Sequence, residues 1–165
     1  MNDEHTGWAG AIRPATADDV GQIREFILAL AEYEKLSHEA KATEADLHTA
    51  LFGPRPHAEV LIAELEGRPV GFALFFHTFS TFVGKPGLYL EDVFVYPEFR
   101  GRGAGLALMR RLAAIAMERG CGRFEWAVLD WNAPSIAFYQ SLGARPMDEW
   151  TVYRLDGAAL EALAE

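Results

Sequence analysis

The chain has 165 residues, half of them hydrophobic, and a formal net charge of −9. That much apolar material at this length fits one compact domain with its own core, and the negative excess argues against nucleic acid as a partner. A single cysteine, Cys121, excludes an internal disulfide and points to a reducing, cytoplasmic setting.

In chain order, residues 1–10 are polar and aperiodic, without the basic start and apolar core of a signal peptide. They read as a disordered lead-in to a single domain over 11–165. Residues 11–13 suggest a short first strand. Thr16 or Asp18 can cap a helix running to about Lys35, with Val20, Ile23, Ile27 and Leu30 at helical spacing. Thr43 with Asp46 starts a shorter helix through Leu51, ended by Gly53-Pro54. Residues 59–65 and 70–77 flank Glu66-Gly67-Arg68-Pro69 as a β-hairpin. Residues 88–96 read as the central strand. Gly103 to Arg119 reads as a helix with Leu106, Met109, Leu112, Ala113 and Ala116 on one face and Gly120 at its end. Residues 123–129 form the next strand, Pro134 suits the first turn of a helix through Leu142, and residues 150–155 form a last strand. The longest strongly apolar run, 70–76, is far short of a membrane span, so no membrane partner is expected. Strands mixed with helices make an α/β or α+β sheet.

The charge is unevenly placed. Residues 100–123 hold six arginines and one acid, whereas the first fifty hold ten acids against four Lys/Arg. Solvated helix faces would explain part of this. A basic side for an anionic cofactor and an acidic side for a cationic substrate would explain it too. The basic stretch coincides with Arg100-Gly101-Arg102-Gly103-Ala104-Gly105, just after a strand and just before a helix. Glycines there let the backbone approach a ligand closely, and the helix start offers unsatisfied N–H groups and a positive dipole end. A Walker loop would need Gly-Lys-Ser/Thr, which is absent, and a Rossmann turn would need G-x-G-x-x-G after a βαβ unit. A purely structural turn remains the alternative reading.

The run R-x-x-G-x-G at Arg100, Gly103 and Gly105 resembles the pyrophosphate signature of the GCN5-related N-acetyltransferases. Trp131-Asn132-Ala133-Pro134-Ser135-Ile136-Ala137-Phe138-Tyr139, followed by Leu142-Gly143-Ala144, is similar to the second signature of that superfamily. Arg13-Pro14-Ala15-Thr16 with Asp18-Asp19 looks like its opening. Tyr89-Leu90-Glu91-Asp92-Val93-Phe94-Val95 and Leu30-Ala31-Glu32-Tyr33-Glu34 are similar to the spermidine/spermine branch, which includes relatives acting on thialysine and small diamines.

The resemblance implies a mixed, mostly antiparallel sheet with helices on both faces, and acetyl-coenzyme A as co-substrate. It implies that backbone amides of Val93, Phe94 and Val95 hold the acetyl carbonyl beside a β-bulge in this strand. The cofactor would contact Arg100, Gly101, Arg102, Gly103, Ala104, Gly105, Leu106, Asn132, Pro134, Ser135 and Tyr139. Glu91 would accept the amine proton through water, and Tyr139 would protonate the leaving sulfur. Tyr33, Glu34, Glu91, Asp92 and Glu149 would bind the amine.

Read from the residues alone, Glu91 and Asp92 are acids in an apolar strand and alternate to opposite sides, so one can be structural while the other reaches a cleft. Aromatics spaced like Phe138 and Tyr139 are commonly core, and Asn132 can serve as a helix cap. The acidic segment Asp148-Glu149 lies one residue closer to Trp150 than in the polyamine branch, which makes a shorter diamine or lysine analogue as fitting an acceptor as a polyamine. The five histidines have no metal-ligand spacing, and no nucleophile elbow occurs, so direct transfer without a metal is expected. Acetylation of a protein N-terminus or lysine, or a non-catalytic cofactor-binding module, are the alternatives. The alternating bulky residues of 150–155 imply an edge that needs a partner, and hence a homodimer.

Overall fold

The sheet is built by two successive hairpins and one crossover. In the computed structural model, which describes residues 7–165, the strands are β1 (Ala11–Pro14), β2 (Glu59–Leu65), β3 (Arg68–Ser80), β4 (Lys85–Val95) and β5 (Arg123–Trp126). They lie in the order β1-β2-β3-β4-β5, antiparallel throughout except for the parallel β4–β5 pair. This is the mixed, mostly antiparallel sheet expected, though β3 rather than 88–96 is its middle strand. Leu65 pairs with Arg68, so the β2–β3 turn holds only Glu66 and Gly67. Both have positive φ, 51° and 76°, the backbone of a type I′ turn that matches strand twist. Pro69 is therefore already in the strand.

Helices cover both faces. A short 3-10 turn leads into α1 (Val20–Tyr33), and α2 (Glu44–Phe52) follows with a full capping box, Thr43 Oγ accepting from Asp46 N–H and Asp46 accepting from Thr43 N–H. Val20, Ile23, Phe26 and Leu30 of α1 pack with Leu47 and Leu51 of α2 against Val60, Ile62, Phe72 and Phe94. Phe26 and Phe72 stack at 5.2 Å with an interplanar angle of 4°. Alternation sends Leu61, Ala63, Ala73 and Phe75 to the opposite face, where α3 (Ala104–Glu118) buries Ala107, Leu108, Leu112 and Ile115. The α3 terminus closes as a Schellman turn, with Cys121 N–H on Ala116 O and Gly120 at φ 67°.

The chain forms two compact units within the span expected as one domain, the first ending at Ala127 and the second covering Val128–Glu165. The second contains α4 (Ala133–Ser141) and α5 (Gly157–Ala164). Two expected strands are corrected here. The strand expected over 123–129 stops at Trp126, because the parallel ladder runs only from Gly87↔Arg123 to Leu90↔Trp126. Residues 150–155 belong to no described ladder and form no strand. Their alternation suits a strand, but a strand exists only beside a neighbour, and none is supplied. Of the lead-in expected over 1–10, residues 1–6 lie outside the described residues, and Trp8 is buried.

Arg13 and Asp19 fasten β1 to the start of α1. The guanidinium donates to both Asp19 oxygens at 2.8 and 2.9 Å and to Glu64 on β2 at 2.8 Å, while Thr16 N–H also donates to Asp19. These donors hold the nearly buried Asp19 carboxyl at about 2, against an ordinary 3.8. A depressed folded-state pKa adds stability that is present above pH 4 and lost as pH falls through about 2. Asp19→Asn is expected to cost about 2 kcal/mol at pH 7 and to flatten the stability profile between pH 4 and 2. Urea unfolding across that range measures it, and a variant with the wild-type profile would show the pair to be inert.

Candidate active site

The local structure of β4 departs from simple alternation at one residue. Leu74 pairs with Asp92, but Phe75 pairs with Leu90, so Glu91 has no partner of its own and forms a β-bulge. The bulge implied for this strand is present, with Glu91 as the extra residue. Alternation from Phe94 puts Val93 and Val95 on the α3 side, and the register puts Leu88 and Leu90 on that side too. An unbulged strand would have turned one of those pairs outward. The same phase shift leaves Glu91 exposed and puts Asp92 on the α1 side with Leu74.

The bulge also sits where β4 loses β5. Their ladder ends at Leu90↔Trp126, while β4 continues to Val95. Tyr96 N–H donates to Val70 O, so the antiparallel alternation directs Phe94 and Asp92 toward β3. Val93 and Val95 then direct their N–H groups to the other edge, where the described ladder gives them no partner. Arg100 Nε donates to Val95 O there at 2.9 Å, which fixes the sense of that edge. Open donors at a strand edge are what a carbonyl oxygen or an amide-rich arm can use.

Three carboxylates, Glu34, Glu91 and Asp92, act on one another. Burial pushes the Asp92 carboxyl up to about 7, and the charges of Glu91 and Glu34 push in the same direction. The residue is only half-buried by area, but its carboxyl lies against Leu74 and the α1 face. Burial also raises Glu34 above its ordinary value. Tyr33 and Glu34, from the α1 terminus, and Glu91 and Asp92, from the bulge, are thus brought together by the structure. Carboxylates crowded in this way, with no ion pair to an arginine among the described residues, each raise the cost of charging the others.

Beyond β4 the glycine turn enters α3. Gly103 caps the helix at φ 90° and Gly101 stands at φ 73°, both left-handed, so side chains at these positions would strain the turn. Gly105 is different, since it is helical and a Cβ there would meet nothing within 4 Å. The N–H groups of Ala104, Gly105 and Leu106 open the helix. Arg102 lies over the Phe99 ring at 5.7 Å, and Arg100 leans on Tyr33 and Phe94. Sequence reasoning assigned Arg100 to the cofactor; its Nε is spent on Val95.

In the second unit, the other signature is a helix with both ends specified. Asn132 is buried and its Oδ1 accepts from Ser135 N–H at 3.4 Å, Pro134 lies in the first turn, and Gly143 (φ 84°) ends α4 with Ala144 N–H on Tyr139 O at 3.2 Å. Tyr139 is half-buried on α4, 5.6 Å from the Phe138 ring. Glu149 is exposed in a turn closed by Trp150 N–H on Met147 O. A cavity of about 190 Å³ between Leu51, Phe52, Phe75 and Ile115 contains none of these residues, and its Arg119 is already bidentate on Glu59 at 2.6 and 2.9 Å.

Residues 24–144 match the Acetyltransferase (GNAT) family. The chain is 40% identical to a thialysine N-epsilon-acetyltransferase of Sus scrofa, over 93% of this chain and 96% of that one. It is 32% identical to an L-ornithine N5-acetyltransferase of Arabidopsis thaliana, over 92% and 86%. Among solved structures it resembles an integron cassette protein from the mobile metagenome of V. cholerae. That match has a TM-score of 0.80 and 29% identity, over 95% of this chain and 98% of that one.

The free space at Gly105 separates a ligand cradle from a merely tight turn. Gly105→Val should leave thermal stability at or above wild type, since Gly is the poorer helix former. It should also abolish the heat of coenzyme A binding in calorimetric titration. Wild-type affinity in this variant would mark the turn as structural.

Proposed function

Because the chain belongs to the Acetyltransferase (GNAT) family and is an N-acetyltransferase, we propose that it moves an acetyl group from acetyl-coenzyme A to the primary amine of a small cationic acceptor, a diamine, polyamine or thialysine-like compound. The transfer is direct, with both substrates bound together. The observation that carries this reading is the uncompensated acidic cluster of Glu34, Glu91 and Asp92 beside an open strand edge. The relatives named for thialysine and L-ornithine support a small acceptor bearing a second charged group.

Acetyl-coenzyme A supplies an activated acetyl thioester. The open Val93 and Val95 N–H groups offer donors where carbonyl charge grows, with Phe94 holding the strand between them. Gly101, Arg102, Gly103, Ala104, Gly105 and Leu106 cradle a pyrophosphate, and Asn132, Pro134 and Ser135 face a pantetheine arm. Tyr33, Glu34, Asp92 and Glu149 hold the acceptor cation. An alkylammonium of pKa about 10 must lose a proton before it can attack. Glu91 takes that proton through water, and Asp92, at about 7, is suited to hold it near neutral pH. Tyr139 gives its phenol proton to the leaving sulfur. The scheme needs no metal, and we place the enzyme in the cytoplasm on its single cysteine.

A thiol-release panel of diamines, thialysine and peptides tests the acceptor: turnover on the small amines is expected, and turnover on peptides alone would overturn the reading. With the best amine, kcat/KM should rise through an apparent pKa of about 7 as Asp92 ionises and the cluster gains its full charge. Asp92→Asn should remove that limb. Tyr139→Phe should lower kcat by roughly 10² or more with coenzyme A affinity unchanged.

Residues 150–155 support a two-fold dimer. Val152 and Tyr153 are over 90% exposed, and the segment joins no ladder among the described residues. We propose that it pairs in a second copy. Light scattering should give about twice the 18.3 kDa chain mass, and a monomer mass would refute the assembly.

A further inference from the structure

Arg100 opens the glycine turn, yet its side chain points back to the acceptor side. Nε donates to Val95 O at 2.9 Å. The guanidinium carbon lies 4.8 Å from the centre of the Tyr33 ring and 5.4 Å from that of Phe94. Tyr33 is the last residue of α1, and Glu34, whose charge acts on Asp92, comes next. The chain there is held in a defined cap, with Leu36 N–H on Ala31 O at 2.8 Å and Lys35 N–H on Glu32 O at 3.0 Å. Lys35 adopts φ 61°, the left-handed C′ conformation of a Schellman cap, less common for lysine than for glycine.

One side chain therefore ties the start of the turn, the open edge of β4 and the end of α1. A planar guanidinium can lie flat on an aromatic ring while its Nε bonds a carbonyl; an ammonium can do one or the other. A cation needed only as a phosphate counter-charge has no such restriction.

We propose that Arg100 is a positioning residue that couples the cofactor turn to the amine site, holding Tyr33 and Glu34 in place when the turn is seated. The inference rests on the functional reading above. Seating the turn then raises affinity for the amine, and by linkage the amine raises affinity for coenzyme A. The two substrates then bind cooperatively through the protein, in addition to the contact that transfer itself requires.

The test uses the 165-residue chain and the amine turned over fastest in the panel. Arg100→Lys should raise the amine KM about ten-fold at saturating acetyl-coenzyme A, while coenzyme A affinity measured without amine changes less than about three-fold. Tyr33→Ala should raise the amine KM similarly, and the double variant should show little further change, since both remove one contact. Calorimetry of coenzyme A with and without saturating amine should show enhancement in wild type and its loss in Arg100→Lys. A loss of coenzyme A affinity already present without amine, or full retention of the amine KM and of the enhancement by Arg100→Lys, would overturn the proposal. A wild type that acetylates no amine would instead refute the functional reading, which keeps the two failures distinct. Thermal melts of each variant confirm that folded enzymes are compared.

Discussion

The site depends on β4 outrunning its parallel neighbour. β5 accompanies it for four residues and stops, and within one residue of that point the bulge at Glu91 resets which face each later side chain takes. A parallel pair that continued would have satisfied the edge and closed the gap. An unbulged strand would have had to choose between a dry α3 face and an acid pointing at α1. The bulge permits both, at the cost of one unpaired residue in the ladder. Core packing and site chemistry are therefore set by the same local irregularity.

Two aspartates illustrate how surroundings, rather than residue type, assign roles. Asp19 faces a bidentate arginine and a backbone N–H and is held near 2; it closes the fold and has no proton to exchange at neutral pH. Asp92 faces two other carboxylates and an apolar wall and stands near 7. Such crowding is unfavourable to the folded protein unless a positive charge comes close, which is what the proposed amine would supply. The chain's overall negative charge adds little to this, because screening erases distant surface charges within about 8–10 Å.

Much of this was legible from residues. The capping pair Thr43 and Asp46, the Glu66-Gly67 turn and the helix starting after Gly103 follow from local rules, and the structure places them within a residue or two. The sheet class and the family also followed, because two glycine- and aromatic-marked signatures lie in fixed order. What alternation could not supply was the bulge. Its trace was present all the same: Leu88 and Leu90 keep one phase, and Val93 and Val95 keep the other, with two residues between them instead of one. Arg100 has contacts of a kind the sequence did not show. A basic residue in a phosphate-like loop invites an electrostatic reading, whereas its actual contacts, to Tyr33 sixty-seven positions earlier and to a carbonyl, depend on tertiary approach. The strand expected over 150–155 had the right side chains and lacked only the neighbour, which no property of the segment itself can provide.

The bulge has a consequence for how this chain can change length. Removing Glu91 would restore strict alternation with both the leucine and the valine pairs still inward, and would erase the bulge and the acid it displays. Adding a residue between Leu90 and Val93 would slide the valines two places against Ala73 and Gly71 or demand a wider bulge. The tip of the β3–β4 hairpin, with Phe82 and Val83 exposed and Gly84 in a left-handed turn, carries no such phase information. Insertions are therefore tolerable at that tip and intolerable ten residues later. Among descendants of this sequence, the spacing from Leu90 to Val93 should drift far less than the amino acids that fill it.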